Sequence, residues 1–146
     1  MRVSFIHKWN ASAASYRYRA MIPAREMGAS LNDLTADVLV FAKPQREEVR
    51  EAKMAKWNGQ KVIVDICDDW LDEYSWYRMM IDIADIITSP TSVMADRIFM
   101  LSKGIGMIGA GFERIGYNPT VIPDPYEFAE SEPHCNGNNL LWFGHG

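Results

Sequence analysis

Cysteine is scarce in this chain: Cys67 and Cys135 are the two in 146 residues. Two cysteines make no disulfide framework, so a reducing compartment, the cytoplasm, is the expected location. Long apolar runs are missing as well. Nothing approaches the roughly 20 consecutive apolar residues that span a bilayer. The first run, Val3–Ile6, is too short and too soon followed by charge to be a signal peptide. A large charge of one sign is also lacking. The formal net charge of −4 argues against a general nucleic-acid or anionic-membrane surface, while peripheral membrane contact stays open. There are no internal repeats and no low-complexity tract, and His134, Cys135 and His145 follow no metal-ligand spacing.

What is present suits one domain with a real core, at 48% hydrophobic and 23% charged residues. Charge is uneven: Arg2, Lys8, Arg17, Arg19 and Arg25 face Glu26 alone in the first 30 residues. The chain is organised around Gln60–Trp70. There Val62, Ile63, Val64 and Ile66 form a short apolar run that ends among Asp65, Asp68 and Asp69. Such a run reads as a strand buried on both faces of a parallel sheet. Ligands of open α/β sheets collect beyond the carboxyl ends of the strands, which is where these carboxylates fall.

In chain order, 2–7 reads as a first strand and 8–15 as a small, polar loop. A helix follows towards Met27, with Ser15 as its N-cap and Gly28 as its stop. Pro23 must kink that helix or begin a second one. Residues 29–36 leave room only for an abbreviated strand. Asp37–Ala42 is a clear strand, Gln45–Asn58 a helix of good helix formers, and Lys61–Ile66 the central strand. A helix over 70–84 carries Leu71, Tyr74, Tyr77, Met80, Ile81 and Ala84 near helical spacing. A strand at 85–89 follows, then a helix over 93–101 capped by Thr91 or Ser92. The glycines 104, 106, 109 and 111 lack the dinucleotide-binding spacing and follow a helix rather than a strand, so a connection is expected there. Thr120–Pro125 is a strand entering a proline turn. Residues 128–139 resemble an interdomain linker, and 140–143 open another strand that enters a glycine loop at the end of the sequence.

This order of motifs resembles the N-terminal domain of GT-B-fold glycosyltransferases, especially the broad group-1 nucleotide-sugar enzymes. The likeness is carried by 15–19, 36–44, 62–69, 84–98, 121–125 and 140–146, and so spans nearly the whole chain. The segment 102–116 is longer than the family usually has between that helix and the Pro-Asp-Pro turn. The resemblance implies an α/β fold, Rossmann-like and three-layered (α/β/α) with a mostly parallel sheet. It further implies an acceptor-side domain over 1–127, a linker over 128–139, and at 140–146 the first strand of a second, missing Rossmann-like domain that would hold the donor. The implied enzyme moves a sugar from a nucleotide-sugar donor to an acceptor hydroxyl, with no cofactor in this part, which would be inactive alone. A rival reading is a non-catalytic flavodoxin-like binding or regulatory module. Response-regulator chemistry would need acidic residues after the first strand, where His7 and Lys8 stand.

The candidate catalytic residues are Asp68 and Asp69, and Asp65 is a candidate for substrate binding: cleft carboxylates position acceptor hydroxyls or act as a base. The competing reading makes Asp68 or Asp69 a helix cap and pairs Asp65 with a lysine. Ser15, Arg17 and Arg19 stand at a helix start, where anions are favoured. Two arginines there would grip a diphosphate or an acidic acceptor. Residues two apart on a helix point different ways, however, so both face one ligand only if the helix is irregular. The alternative is a solvated basic face with Tyr16 or Tyr18 packed inward. His7 and Lys43 end strands and complete the substrate-binding set, against the commoner readings of a core histidine and a solvated lysine. No metal is expected. For Cys67, nothing nearby suggests an activated thiolate, and Tyr74–Tyr77 reads as packing rather than a sugar-stacking platform.

Overall fold

The computed structural model describes residues 1–8, 13–103 and 119–122. The glycine-rich segment from 104 to 116, the linker at 128–139 and the strand at 140–143 lie outside the described residues.

Six strands form one sheet: β1 (Val3–Ile6), β2 (Ser30–Leu31), β3 (Val38–Ala42), β4 (Lys61–Asp65), β5 (Ile86–Ser89) and β6 (Thr120–Val121). Their order is β2-β1-β3-β4-β5-β6 and every pairing is parallel. The expected three-layer, Rossmann-like α/β fold is therefore what the chain adopts. β3, with all five residues buried, is the strand expected from Asp37–Ala42. β2 has two residues, as the polar composition of 29–36 anticipates.

The first helical segment is irregular. A short α-turn, α1 (Ala14–Tyr16), runs into a π-turn (Arg17–Met21) and then into α2 (Ile22–Met27). Pro23 has no N–H to give to the preceding turn, and the ladder slips there from α to π spacing. The Ile22 N–H reaches back to the Arg17 carbonyl. Gly28 ends α2 at φ 63°, the left-handed backbone that glycine adopts freely. Ser15 is not the N-cap. Ala13 holds that position in extended backbone without a side-chain cap bond. The helix begins two residues early, at Ala14, a good helix former, leaving Ser15 inside the first turn.

Helix α3 (Glu48–Trp57) starts with Glu48 and Glu51 in its first turn and Lys56 in its last, each complementing the helix dipole. Helix α4 (Ser75–Ile83) turns Tyr77, Met80 and Ile81 inward and leaves Arg78, Met79 and Asp82 exposed. It is shorter than expected, because Trp70–Glu73 form a turn before it. In α5 (Ser92–Lys103), Thr91 Oγ1 accepts from the Met94 N–H at 3.2 Å, so Thr91 is the cap.

Strand alternation divides the core. Ile6, Leu39, Phe41, Val62, Val64, Ile66 and Ile87 face α3, α4 and α5, where Val49, Ala52, Ala55, Tyr77, Met80, Ile81 and Ile98 meet them. The other face carries Phe5, Val40, Ala42 and Ile63, covered by Ala20 and Ala24 of the irregular helix. Ile63 is only half-buried, so β4 is not sealed equally on both faces.

Candidate functional site

Because all six strands run the same way, their carboxyl ends share one edge. The strand order reverses between β1 and β3, the position at which doubly wound sheets open a ligand crevice. His7 and Lys8 leave β1 there, Lys43 leaves β3, Asp65 ends β4, and Thr88 and Ser89 end β5. Asp65–Asp69 and the helix start near Ser15 thus lie on the same rim, as expected.

Arg19 and Asp65 meet under the crevice. Both are nearly inaccessible, with 5% and 6% of their side chains exposed, and Arg19 Nη1 lies 3.4 Å from Asp65 Oδ1. Thr88 Oγ1 donates to the same Oδ1 at 2.6 Å, and Arg19 Nη1 donates to the Ile122 carbonyl at 3.0 Å. One carboxylate therefore ties the irregular helix, β4 and β5 together, and the guanidinium extends the tie to β6. The register places Asp65 beside Thr88, which fixes this contact. Arg17 turns outward instead, with its guanidinium 5.4 Å from the Tyr18 ring centroid. The two arginines diverge even though the helix is irregular.

His7 is buried, and neither ring nitrogen has a hydrogen-bond partner among the described residues. Its ring meets Tyr16 edge-on, centroids 5.2 Å apart, and its backbone N–H donates to Asn32 Oδ1 at 2.9 Å. Burial holds its pKa below the ordinary histidine value, Lys43 adds to this, and its own backbone carbonyl acts in the opposite direction. Burial thus favours the neutral imidazole over the charged form.

Lys43 has a left-handed backbone, φ 52°, which costs a non-glycine residue on the order of 1–2 kcal/mol. Its N–H donates to the Asp65 carbonyl at 3.0 Å. Its Nζ lies 2.6 Å from Asp68 Oδ2 and 4.7 Å from the Trp70 ring centroid. It is mostly covered rather than solvated. Lys43 pairs with Asp68, and Asp65 pairs with an arginine rather than with the lysine expected. Asp69 stands further out: Arg97 Nε donates to its Oδ1 at 2.6 Å, and Arg97 Nη2 to Asp72 Oδ2 at 2.5 Å. Proton abstraction by Asp68 or Asp69 would first require its ion pair to open. Burial, then Asp68 and Asp65, push the Cys67 thiol up to about 12, so it stays protonated.

One participant is not anticipated in the sequence. Glu48 is fully buried at the start of α3, and its carboxyl oxygens accept from the backbone N–H groups of Lys8 (3.2 Å) and Gln45 (2.7 Å). It locks the chain leaving β1 to the loop leaving β3, the two sides of the switch point. Desolvation pushes its pKa up to about 7, with the two backbone N–H groups working against the rise. The available signal was a glutamate at a helix start directly after a strand-end proline turn.

No protein-family model, curated protein or solved structure matches this chain. Its chemistry must be read from the edge itself. Among the described residues, no group of three or more His, Cys, Asp or Glu side chains is placed to hold a metal ion, and no helix is long and apolar enough to cross a membrane. The edge offers a neutral imidazole, a covered lysine–aspartate pair and a buried arginine–aspartate–threonine cluster. Such a set can orient hydroxyl groups, accept a proton and counter partial charge.

Proposed function

We propose that this chain is the acceptor-side domain of a GT-B-fold glycosyltransferase, working with a second Rossmann-like domain that binds the nucleotide sugar. The observation that carries this reading is positional. Among the described residues, the motifs 36–44, 62–69 and 84–98 follow one another along one parallel sheet, and His7, Lys43, Asp65 and Asp68 stand at or just past the carboxyl ends of its neighbouring strands β1, β3 and β4. In the proposed reaction an acceptor hydroxyl enters this crevice and attacks the anomeric carbon of the donor sugar, whose bond to the nucleoside diphosphate breaks as the diphosphate leaves with the electron pair. His7, whose buried ring nitrogens have no hydrogen-bond partner among the described residues, accepts the hydroxyl proton once the acceptor reaches its ring, while Lys43 and Asp68 orient the acceptor.

The test offers UDP-, GDP- and ADP-sugars with hydroxyl acceptors to the full-length protein and reads release of the nucleoside diphosphate. His7→Gln and Asp68→Asn are expected to lower turnover by roughly 100-fold with the thermal midpoint retained. Failure to release nucleotide from any donor overturns the reading. The order β2-β1-β3-β4-β5 is also that of flavodoxin-like folds. This favours, as the second reading, a non-catalytic module binding a small ligand at the same switch point.

A further inference from the structure

On the face covered by the irregular helix, a cavity of about 270 Å³ lies between helix and sheet. Phe5, Val40 and Ile63 form its floor, side by side in register on β1, β3 and β4. Tyr18, Pro23 and Met27 form a wall, and Arg19, Asp65, Thr88 and Ile122 close one end. Asp65 lies two residues beyond Ile63 on the same strand face, about 6.6 Å along. The polar end is therefore at the carboxyl edge, and the apolar part runs back beneath the helix. An apolar cavity of about 150 Å³ is already enough to bind benzene, so this one has room for a ring with a short substituent.

The polar end also constrains the occupant. Arg19 and Asp65 are partners at 3.4 Å, and Arg19 is engaged by the Ile122 carbonyl as well. The cluster is internally compensated, so an ionic ligand would lose its hydration without gaining a net countercharge. A hydroxyl or other neutral polar group can join its hydrogen bonds without that loss.

We propose that this cavity binds a neutral small molecule with a ring-sized apolar body and a hydroxyl, its body against Phe5, Val40 and Ile63 and its polar end at Arg19–Asp65–Thr88. Resting on the reading of the crevice given above, this molecule is the acceptor: a hydroxylated aryl or short alkyl compound rather than a free sugar, anchored here by its body and one polar group while a separate, reacting hydroxyl stands at the carboxyl edge.

The experiment titrates the chain with 4-propylphenol, 4-propylbenzoate and glucose and follows backbone amide shifts by NMR. The phenol is expected to bind saturably, with shifts centred on Ile63 and Thr88. The benzoate should be at least roughly tenfold weaker because its charge must be desolvated, and glucose should leave those amides unmoved. Ile63→Phe fills the cavity, and Met27→Glu places a charge on its exposed wall with no core contact to lose. Each is expected to weaken the phenol at least roughly tenfold, with the thermal midpoint of Met27→Glu retained. Absence of saturation by the phenol, benzoate binding as tight as the phenol, or phenol binding unchanged in Met27→Glu overturns the proposal. The two readings fail separately. Phenol binding without sugar transfer by the full-length protein would overturn the transferase and leave the pocket, whereas transfer to free sugars with no phenol binding would do the reverse.

Discussion

On the side of the sheet that carries Leu39, Phe41, Val62, Val64 and Ile66, three helices close a continuous apolar core in which these side chains are almost wholly inaccessible. The opposite side has Phe5, Val40, Ala42 and Ile63 under one irregular helix, a cavity beside them, and a buried Arg19–Asp65 ion pair at the strand ends. The same parallel strands thus serve two purposes. One side supplies the packing that holds the fold, and the other leaves space and polarity near the edge where ligands collect. The difference lies both in what covers the strands and in β4 itself, which turns Val62 and Val64 to the closed side and Ile63 and Asp65 to the open one.

The comparison breaks first if the two sides cost the same to damage. Phe41→Ala on the closed side is expected to lower unfolding free energy by about 3–5 kcal/mol, and Ile63→Ala on the open side by about 1 kcal/mol, measured by urea denaturation. Equal losses would mean that the cavity side is as tightly packed as its counterpart. Arg19→Met tests the polar contribution. It strands Asp65 in a buried position and should cost about 3–5 kcal/mol, while Arg19→Met with Asp65→Leu should recover most of that. A harmless single variant would show the pair to be solvated.

A smaller effect is expected from Glu48, which joins the switch-point loops from the closed side. Its pKa is about 7 in the folded protein against an ordinary 4.5, so folding takes up a proton. That stabilisation is complete below pH 4.5 and is lost as pH rises towards 7, by at most about 3 kcal/mol. Thermal midpoints recorded against pH should fall over that window, and Glu48→Gln should flatten this part of the profile. A wild-type profile without the fall would remove the buried-acid assignment. Smallest of all, Arg97→Ala opens exposed pairs with Asp69 and Asp72 and should barely move the thermal midpoint.

The layout of the sheet was readable in the sequence because its strands carry their own signals. Val38–Ala42 is continuously apolar, Lys61–Asp65 runs into carboxylates, and Ile86–Ser89 stops at Pro90. The parallel edge follows from helices alternating with such strands. The pairings at the edge were not readable. Arg19 and Asp65 are 46 residues apart, and no local pattern tells an aspartate whether its partner will be that arginine or Lys43. The divergence of Arg17 and Arg19 follows from helical geometry, but which one turns inward depends on how the π-turn seats Ala20 and Ala24 on the sheet. Ser15 misled because a hydroxyl before a helix usually signals a cap, and Ala14 ahead of it had already entered the turn. Thr88 was within reach, since it shares a strand face with Asp65 once the two strands are aligned.

The π-turn at Arg17–Met21 works as a phase shift in the first helix. It sets the Tyr16 side against His7 and the Ala20–Ala24 side against the strands from one continuous segment. Inserting one further residue between Tyr16 and Ile22 would swing one half relative to the other by about 100°, pulling either the aromatic contact or the arginine out of place. Substitutions on the outward side of this segment are therefore compatible with the fold, whereas a change in its length rewrites which side chains meet the sheet.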